Sequence, residues 1–178
     1  MMSARPVVVL VGPPGSGKTT VGAALAERLE LPLRDTDQDV ETLTGTTIAE
    51  LFVDRGEAYF RELESEAVRA ALDSHSGVLA LGGGAILRPE TRKALSAHYV
   101  VWLDVTVHSA VKRLDMNGAR PLLLGNVRGR FIELDRERRA LYAEVSTIHV
   151  DTSELGIEEI VDNLCAQIPS RALRSSES

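Results

Sequence analysis

Val7-Val-Val-Leu-Val11-Gly12-Pro-Pro-Gly15-Ser16-Gly17-Lys18-Thr19-Thr20 runs from a short apolar stretch into a glycine-rich turn, and its reading decides the fold. Gly12, Gly17, Lys18 and Thr19 satisfy the pattern G-x-x-x-x-G-K-[ST], with an apolar strand-like run before it and a helix-like stripe after it, as its mechanism requires. Glycines let the backbone wrap an anion with its amides pointing inward, and the helix that follows presents unpaired N–H groups and a positive dipole end. Gly15, Ser16, Gly17, Lys18, Thr19 and Thr20 are therefore the expected nucleotide-binding set. Lys18 neutralises the β- and γ-phosphates, and the Thr19 hydroxyl is placed for Mg²⁺.

Working outward, similar apolar runs recur at Leu31–Arg34, Val78–Leu81, Tyr99–Leu103 and Thr147–Val150. Between them, apolar residues three and four apart (Val21, Ala24, Leu25, Leu29; Leu63, Ala67, Ala70, Ala71; Val107, Ala110, Val111, Leu114) mark amphipathic helices. Strands alternating with helices imply parallel pairing through crossovers. The expected fold is thus a three-layer α/β/α domain with a five-stranded parallel sheet, spanning residues 5–168, with 170–178 as a disordered tail. In such sheets ligands bind at the carboxyl ends of the strands. Polar or glycine-rich clusters follow three separate apolar runs, at Gly12–Thr19, Asp35–Asp37 and Gly82–Gly84, so all three should converge on one rim.

Composition narrows the partners. Twenty basic residues against twenty-six acidic ones give a net charge of −6, which repels nucleic acid and anionic membranes, so any bound anion must be held by local groups. The single cysteine, Cys165, excludes an internal disulfide and suits a cytoplasmic protein, here expected as a monomer; no run is long and apolar enough for a membrane span. The four histidines show no ligand spacing.

Asp35-Thr36-Asp37 follows the second apolar run, and alternation along an extended segment would point both carboxylates the same way. Asp35 then serves Mg²⁺ while Asp37 meets the acceptor hydroxyl, although the same pattern is also ordinary helix-cap chemistry. Arg61 and Glu64, three residues apart, share a helical face, which by itself is also a common surface pair. Gly82, Gly83 and Gly84 cost backbone entropy that close approach of a ligand would explain, as would a tight turn.

Taken in order, Gly12–Thr19, Asp35-Thr36-Asp37, Phe60-Arg61-Glu-Leu-Glu64, Leu81-Gly-Gly-Gly84 and Ala119-Arg120-Pro-Leu-Leu123 closely resemble shikimate kinase, over about residues 5–168. The resemblance implies a P-loop, nucleoside-monophosphate-kinase-like fold and transfer of phosphate from ATP to the 3-hydroxyl of shikimate, in the chorismate route to aromatic amino acids. It implies Lys18, Asp37 and Arg120 as catalytic, with Arg120 on a lid at about 115–130. It also implies Arg113 and Arg120 against the nucleotide, and Asp37, Arg61, Gly82–Gly84 and Arg138 against shikimate, with Phe52 and Phe60 walling its ring. Thr19 and Asp35 hold Mg²⁺ in this reading. The chain departs from the family's R-x-P-L-Y, carrying Arg138-Arg139-Ala140-Leu141-Tyr142 instead. Counting back from Leu141-Tyr142 selects Arg138 as the second carboxylate fork, whereas counting forward from the lid selects Arg139. Two other readings compete: a phosphate-loop kinase of another hydroxylated metabolite such as gluconate, and a nucleotide-binding regulatory module without transfer. A GTPase is disfavoured, since no base-reading N-K-x-D follows the loop.

Overall fold

A computed structural model describes residues 5–116 and 126–174. Its sheet contains β1 (Val8–Val11), β2 (Leu33–Asp35), β3 (Val78–Ala80), β4 (Val100–Asp104) and β5 (Ile148–Asp151), in the order β2-β3-β1-β4-β5, all parallel. These strands match the five apolar runs to within two residues at either end. The helices are α1 (Lys18–Leu29), α2 (Thr36–Thr44), α3 (Ile48–Arg55), α4 (Glu57–Ser74), α5 (Pro89–Leu95), α6 (Val107–Met116), α7 (Val127–Val145), α8 (Ile157–Gln167) and α9 (Ser170–Arg174).

Side chains of β1 alternate between two cores, as the pleat dictates. Val8 and Leu10 pack with Val21 and Leu25 of α1 and with Ile160 and Leu164 of α8. Val9 and Val11 face the other way, against Val68 and Leu72 of α4, Leu95 of α5 and Tyr142 of α7. A sheet buried on both faces needs apolar residues at every position, which is why the runs read as continuous rather than alternating. A smaller cluster of Val40, Leu51 and Phe60 ties α2 and α3 onto α4, forming an arm beside the sheet.

Because β1 lies at the centre with β3 on one side and β4 on the other, successive connections leave its carboxyl end in opposite directions. That crevice is where the phosphate loop sits, and the Asp35–Asp37 and Gly82–Gly84 segments open onto the same rim, as the strand rule requires.

Two boundaries differ from the sequence reading. The segment expected as a lid, 115–130, is narrowed from both sides: α6 runs to Met116, and Val127–Arg130 already belong to α7. The Asn126 side chain caps α7 by accepting from the Gly129 amide at 2.9 Å. Arg128 is thereby helical, while Arg120 lies outside the described residues. The tail expected to be loose from 170 instead begins with α9, whose Ala172 and Leu173 pack against the core beneath α8.

Among the described residues no helix is long and apolar enough to cross a membrane. Leu10 is fully buried at the centre of the sheet. Leu10→Ala is expected to lower the free energy of unfolding by about 3 kcal/mol in urea titrations, whereas Leu43→Ala, on the exposed side of α2, should change it by less than about 0.5 kcal/mol.

Candidate active site

The phosphate loop is held open from behind by the sheet. Gly12 sits at φ 152°, and a side chain there would drive into the Leu103 carbonyl of β4 and to within 2.9 Å of Ser16 Oγ. Only glycine lets the loop pass this close to the strand while entering a left-handed turn. Ser16 is fully buried with its hydroxyl unpartnered. Gly17, at φ 88°, turns the chain into α1, whose first amides face the crevice without a side-chain cap. Lys18 Nζ donates to the Gly12 and Pro13 carbonyls at 2.7 and 3.1 Å, and burial pushes its pKa down to about 8 despite the opposing pull of Asp37 and Asp35.

Beside the loop is a cavity of about 260 Å³ bordered by Thr20, Arg113, Leu155, Ile157 and Ile160. Its mixture of apolar walls and one guanidinium fits a flat heteroaromatic base stacked between them. Arg113 is anchored there by donating to the Gly15 carbonyl at 3.1 Å and to Thr152 Oγ1 and O at 3.0 and 2.6 Å.

On the other side of the loop lies a second cavity of about 500 Å³, lined by Asp37, Phe52, Phe60, Arg61, Gly83 and Arg138 among others. The reason given for Asp35 and Asp37 needs correction. They do not alternate along a strand, since β2 ends at Asp35 and Asp37 is already in the first turn of α2. Asp35 is the N-cap: its Oδ1 accepts from the Asp37 amide at 2.9 Å, leaving Oδ2 3.5 Å from the Thr19 hydroxyl. The cap holds Asp35 toward the loop while the helix swings Asp37 into the acceptor cavity.

Asp37 Oδ1 is buried without a partner. Burial, with the Glu64 and Asp35 carboxylates nearby, pushes its pKa up to about 6 against the pull of Lys18 and Arg61. Burial likewise raises Glu64, 2% exposed, even though Arg61 Nη1 donates to its Oε1 at 2.8 Å. The Arg61 guanidinium is further held by Glu57 at 3.3 Å and lies over Phe60 and Phe52 at 5.2 and 6.0 Å. The Arg61–Glu64 pair is thus a buried device for aiming a guanidinium, not a surface pair.

The three glycines are explained by the same cavity. A Cβ on Gly82 would strike Asp37 Oδ1, and one on Gly84 would strike the Arg61 guanidinium. Gly83 gives its carbonyl to the Tyr142 hydroxyl at 2.6 Å, and burial pushes that phenol up to about 12.

The two arginines of α7 separate, as residues 100° apart on a helix must. Arg138 is 8% exposed and lines the acceptor cavity, its Nε unpartnered. Arg139 points to the sheet and grips Asp104 with both Nη atoms, at 3.1 and 2.6 Å. Asp104, which the sequence reading passed over, was findable by the strand rule, because it ends the apolar run of β4 just as Asp35 ends β2. Leu134 and Glu137 also line the cavity, with no signal beyond their helical spacing from Arg138.

Asp37 Oδ1, Glu64 Oε2 and Arg138 Nε are buried without partners, and the three residues line this one cavity. Two carboxylates and a guanidinium around one space suit a compact ligand that carries both hydroxyls and an acid group. Across the loop from it, the nucleotide's terminal phosphate would meet Lys18, so the geometry can transfer a phosphoryl group from one cavity to the other.

The model of the shikimate kinase family matches residues 14–169. The shikimate kinase of Thermobifida fusca is 51% identical over 169 residues, covering 95% of this chain and 98% of its own. That of Streptomyces coelicolor is 56% identical, over 87% of this chain and 91% of its own. Among solved structures, the shikimate kinase of Acinetobacter baumannii in complex with shikimate superposes with a TM-score of 0.87 at 34% identity, covering 94% of each chain.

Because the folded-state pKa of Asp37 lies above its ordinary 3.8, the native state holds this proton more tightly than the unfolded one, and stability falls as pH rises from about 4 through about 6. Asp37→Asn should therefore unfold at a higher temperature than the parent at pH 8. By calorimetric scans the advantage should shrink to nothing near pH 4.

Proposed function

The chain belongs to the shikimate kinase family and phosphorylates shikimate at the expense of ATP, and on that premise we propose which of its residues do so and how. The observation that carries the assignment is the second cavity beside the phosphate loop, lined by Asp37, Arg61 and Arg138, where Asp37 and Arg138 keep unpartnered polar atoms.

The acid group of shikimate is taken by Arg61 and Arg138, two guanidinium groups entering from α4 and α7. Paired forks fix a planar carboxylate in orientation as well as in place. Phe52 and Phe60 wall the ring, and the backbone of Gly82–Gly84 lies close against its hydroxyls. Asp37 then faces the 3-hydroxyl. With a pKa raised toward neutrality but below it, Asp37 is ionised at pH 7 and basic enough to take the proton as the oxygen attacks the γ-phosphorus and ADP departs. If the hydroxyl loses its proton only late, the same carboxylate still orients it in line.

Gly15, Ser16, Gly17 and Thr20 cradle the phosphates with the first turn of α1, and Arg113 packs beside the base. Lys18 leaves its contacts with the loop carbonyls for the transferring oxygens, where its charge grows in value as negative charge develops. Arg120, outside the described residues, completes the set in this reading by meeting the charge that develops on the transferring phosphate.

Thr19 and Asp35 are the groups that fit Mg²⁺: a hydroxyl and a carboxylate oxygen side by side at the foot of the loop. An ion held by these two groups would take its remaining ligands from phosphate and water. Bound there, the ion neutralises the β- and γ-oxygens. We place the enzyme in the cytoplasm, as its lone cysteine suits, and infer a monomer.

In calorimetric titrations, Arg61→Ala should weaken shikimate binding on the order of a hundredfold while ADP affinity is retained. Lys18→Met should retain shikimate binding and lose phosphoryl transfer. Turnover of gluconate without turnover of shikimate by the intact protein overturns this reading.

A further inference from the structure

Arg138 enters the acceptor cavity held at its tip by the Tyr142 hydroxyl and attracted by Glu64. Its Nε has no partner, and it projects from one face of a 19-residue helix whose rotation decides what that face meets. Whatever fixes the rotation of α7 about its axis also aims Arg138.

On the sheet side of the helix the next residue does this. Arg139 closes a two-point contact with both carboxylate oxygens of Asp104, at 3.1 and 2.6 Å, and its guanidinium lies 4.9 Å over the Trp102 ring. An ordinary surface ion pair would fix nothing, because long side chains and water share the interaction. This pair is different: Asp104 is 5% exposed, the geometry is bidentate, and the aromatic face beneath limits the guanidinium plane.

Asp104 is itself immovable. Its Oδ1 accepts from the Val105 amide at 2.8 Å, and its Oδ2 meets His149 Nε2 at 2.8 Å. Its carbonyl accepts from the amide and the hydroxyl of Thr152, both at 2.9 Å, and that hydroxyl also reaches the Ser16 carbonyl at 3.3 Å. Burial alone would raise this carboxyl. The hydrogen bonds from Arg139, His149 and Val105 outweigh it and hold the group below its usual range, so the anion that Arg139 grips is maintained.

Resting on the acceptor site assigned above, we propose that Arg139 and Asp104 form a positioning pair for acceptor binding: they lock the rotation of α7 and thereby aim Arg138 at the acceptor's carboxylate. Asp104 is rooted through Thr152 to the phosphate loop, so the fork is aimed relative to the same frame that carries the nucleotide. Phe131, Tyr142 and Val145 seat α7 in the core, with Tyr142 one turn beyond Arg138 and bonded to the Gly83 carbonyl, and the Arg139 contact adds the charged tie that sets the fine rotation on the sheet side.

The test is calorimetric titration of shikimate and, separately, of ADP into the intact protein and its Arg139→Met variant. The expected result is a loss of shikimate affinity between about tenfold and a hundredfold with ADP affinity kept, because displacing a positioned group by an ångström has effects of that size. Arg139→Lys, which keeps the charge but not the fork, should fall between the two, and combining Arg139→Met with Asp104→Asn should cost no more than the larger single loss. A lower melting temperature with parental shikimate affinity makes the pair merely structural and overturns the proposal, as does equal loss of both ligands. If Arg139→Met does not fold, Arg139→Lys decides alone: weakened shikimate binding sustains the proposal and parental binding overturns it. Silence of the parent protein toward shikimate strikes the functional reading itself, and this proposal with it.

Discussion

Parallel pairing around β1 is the constraint from which the rest follows. Five strands running the same way bring their carboxyl ends to one edge, and each must hand the chain to a crossover there. Turns, helix starts and polar side chains therefore accumulate on a single rim, while the faces of the sheet are given over to apolar packing. The phosphate loop, the cap at Asp35, the glycine turn after β3, Asp104 and Thr152 are five chain segments that share one neighbourhood for this topological reason.

That crowding has an electrostatic cost which the molecule distributes unevenly. Asp35, Asp37 and Glu64 lie near one another, and burial leaves Asp37 and Glu64 harder to ionise than in water, while Lys18 is harder to protonate. Glu64 is partly offset by Arg61, and Asp104 more fully by Arg139 and His149. Asp37 Oδ1 has no such partner and borders the larger cavity, so its raised pKa is left uncompensated where a ligand could reach the site.

Much of this was legible in the chain before any coordinates. The phosphate loop could be read because its glycines, lysine and threonine are dictated by local backbone geometry and need no distant partner. The strands could be read because burial on both faces leaves no room for polar residues. Asp35 and Asp37 both lie at the rim, but not by strand alternation, since alternation cannot show that a cap ends the strand between them. Arg138 and Arg139 were indistinguishable because choosing between adjacent helical residues requires knowing which face meets the sheet, a fact of packing. Asp104 is marked only by its place at the end of β4, while Glu57 and Tyr142 contribute through contacts four and 59 residues apart that no local pattern marks.

The stack at the end of β4 has one more consequence. Trp102 is the sole tryptophan of the chain, and its indole is covered by the His149 imidazole at 4.1 Å, by the Arg139 guanidinium and by the Tyr142 ring at 5.9 Å. Both α7 residues that touch it belong to the helix carrying the acceptor fork. An excited indole is sensitive to a cation or an imidazole moving across its face, so the protein contains its own optical gauge of how that helix sits. No label need be attached to follow the helix in solution, and no second tryptophan contributes a background.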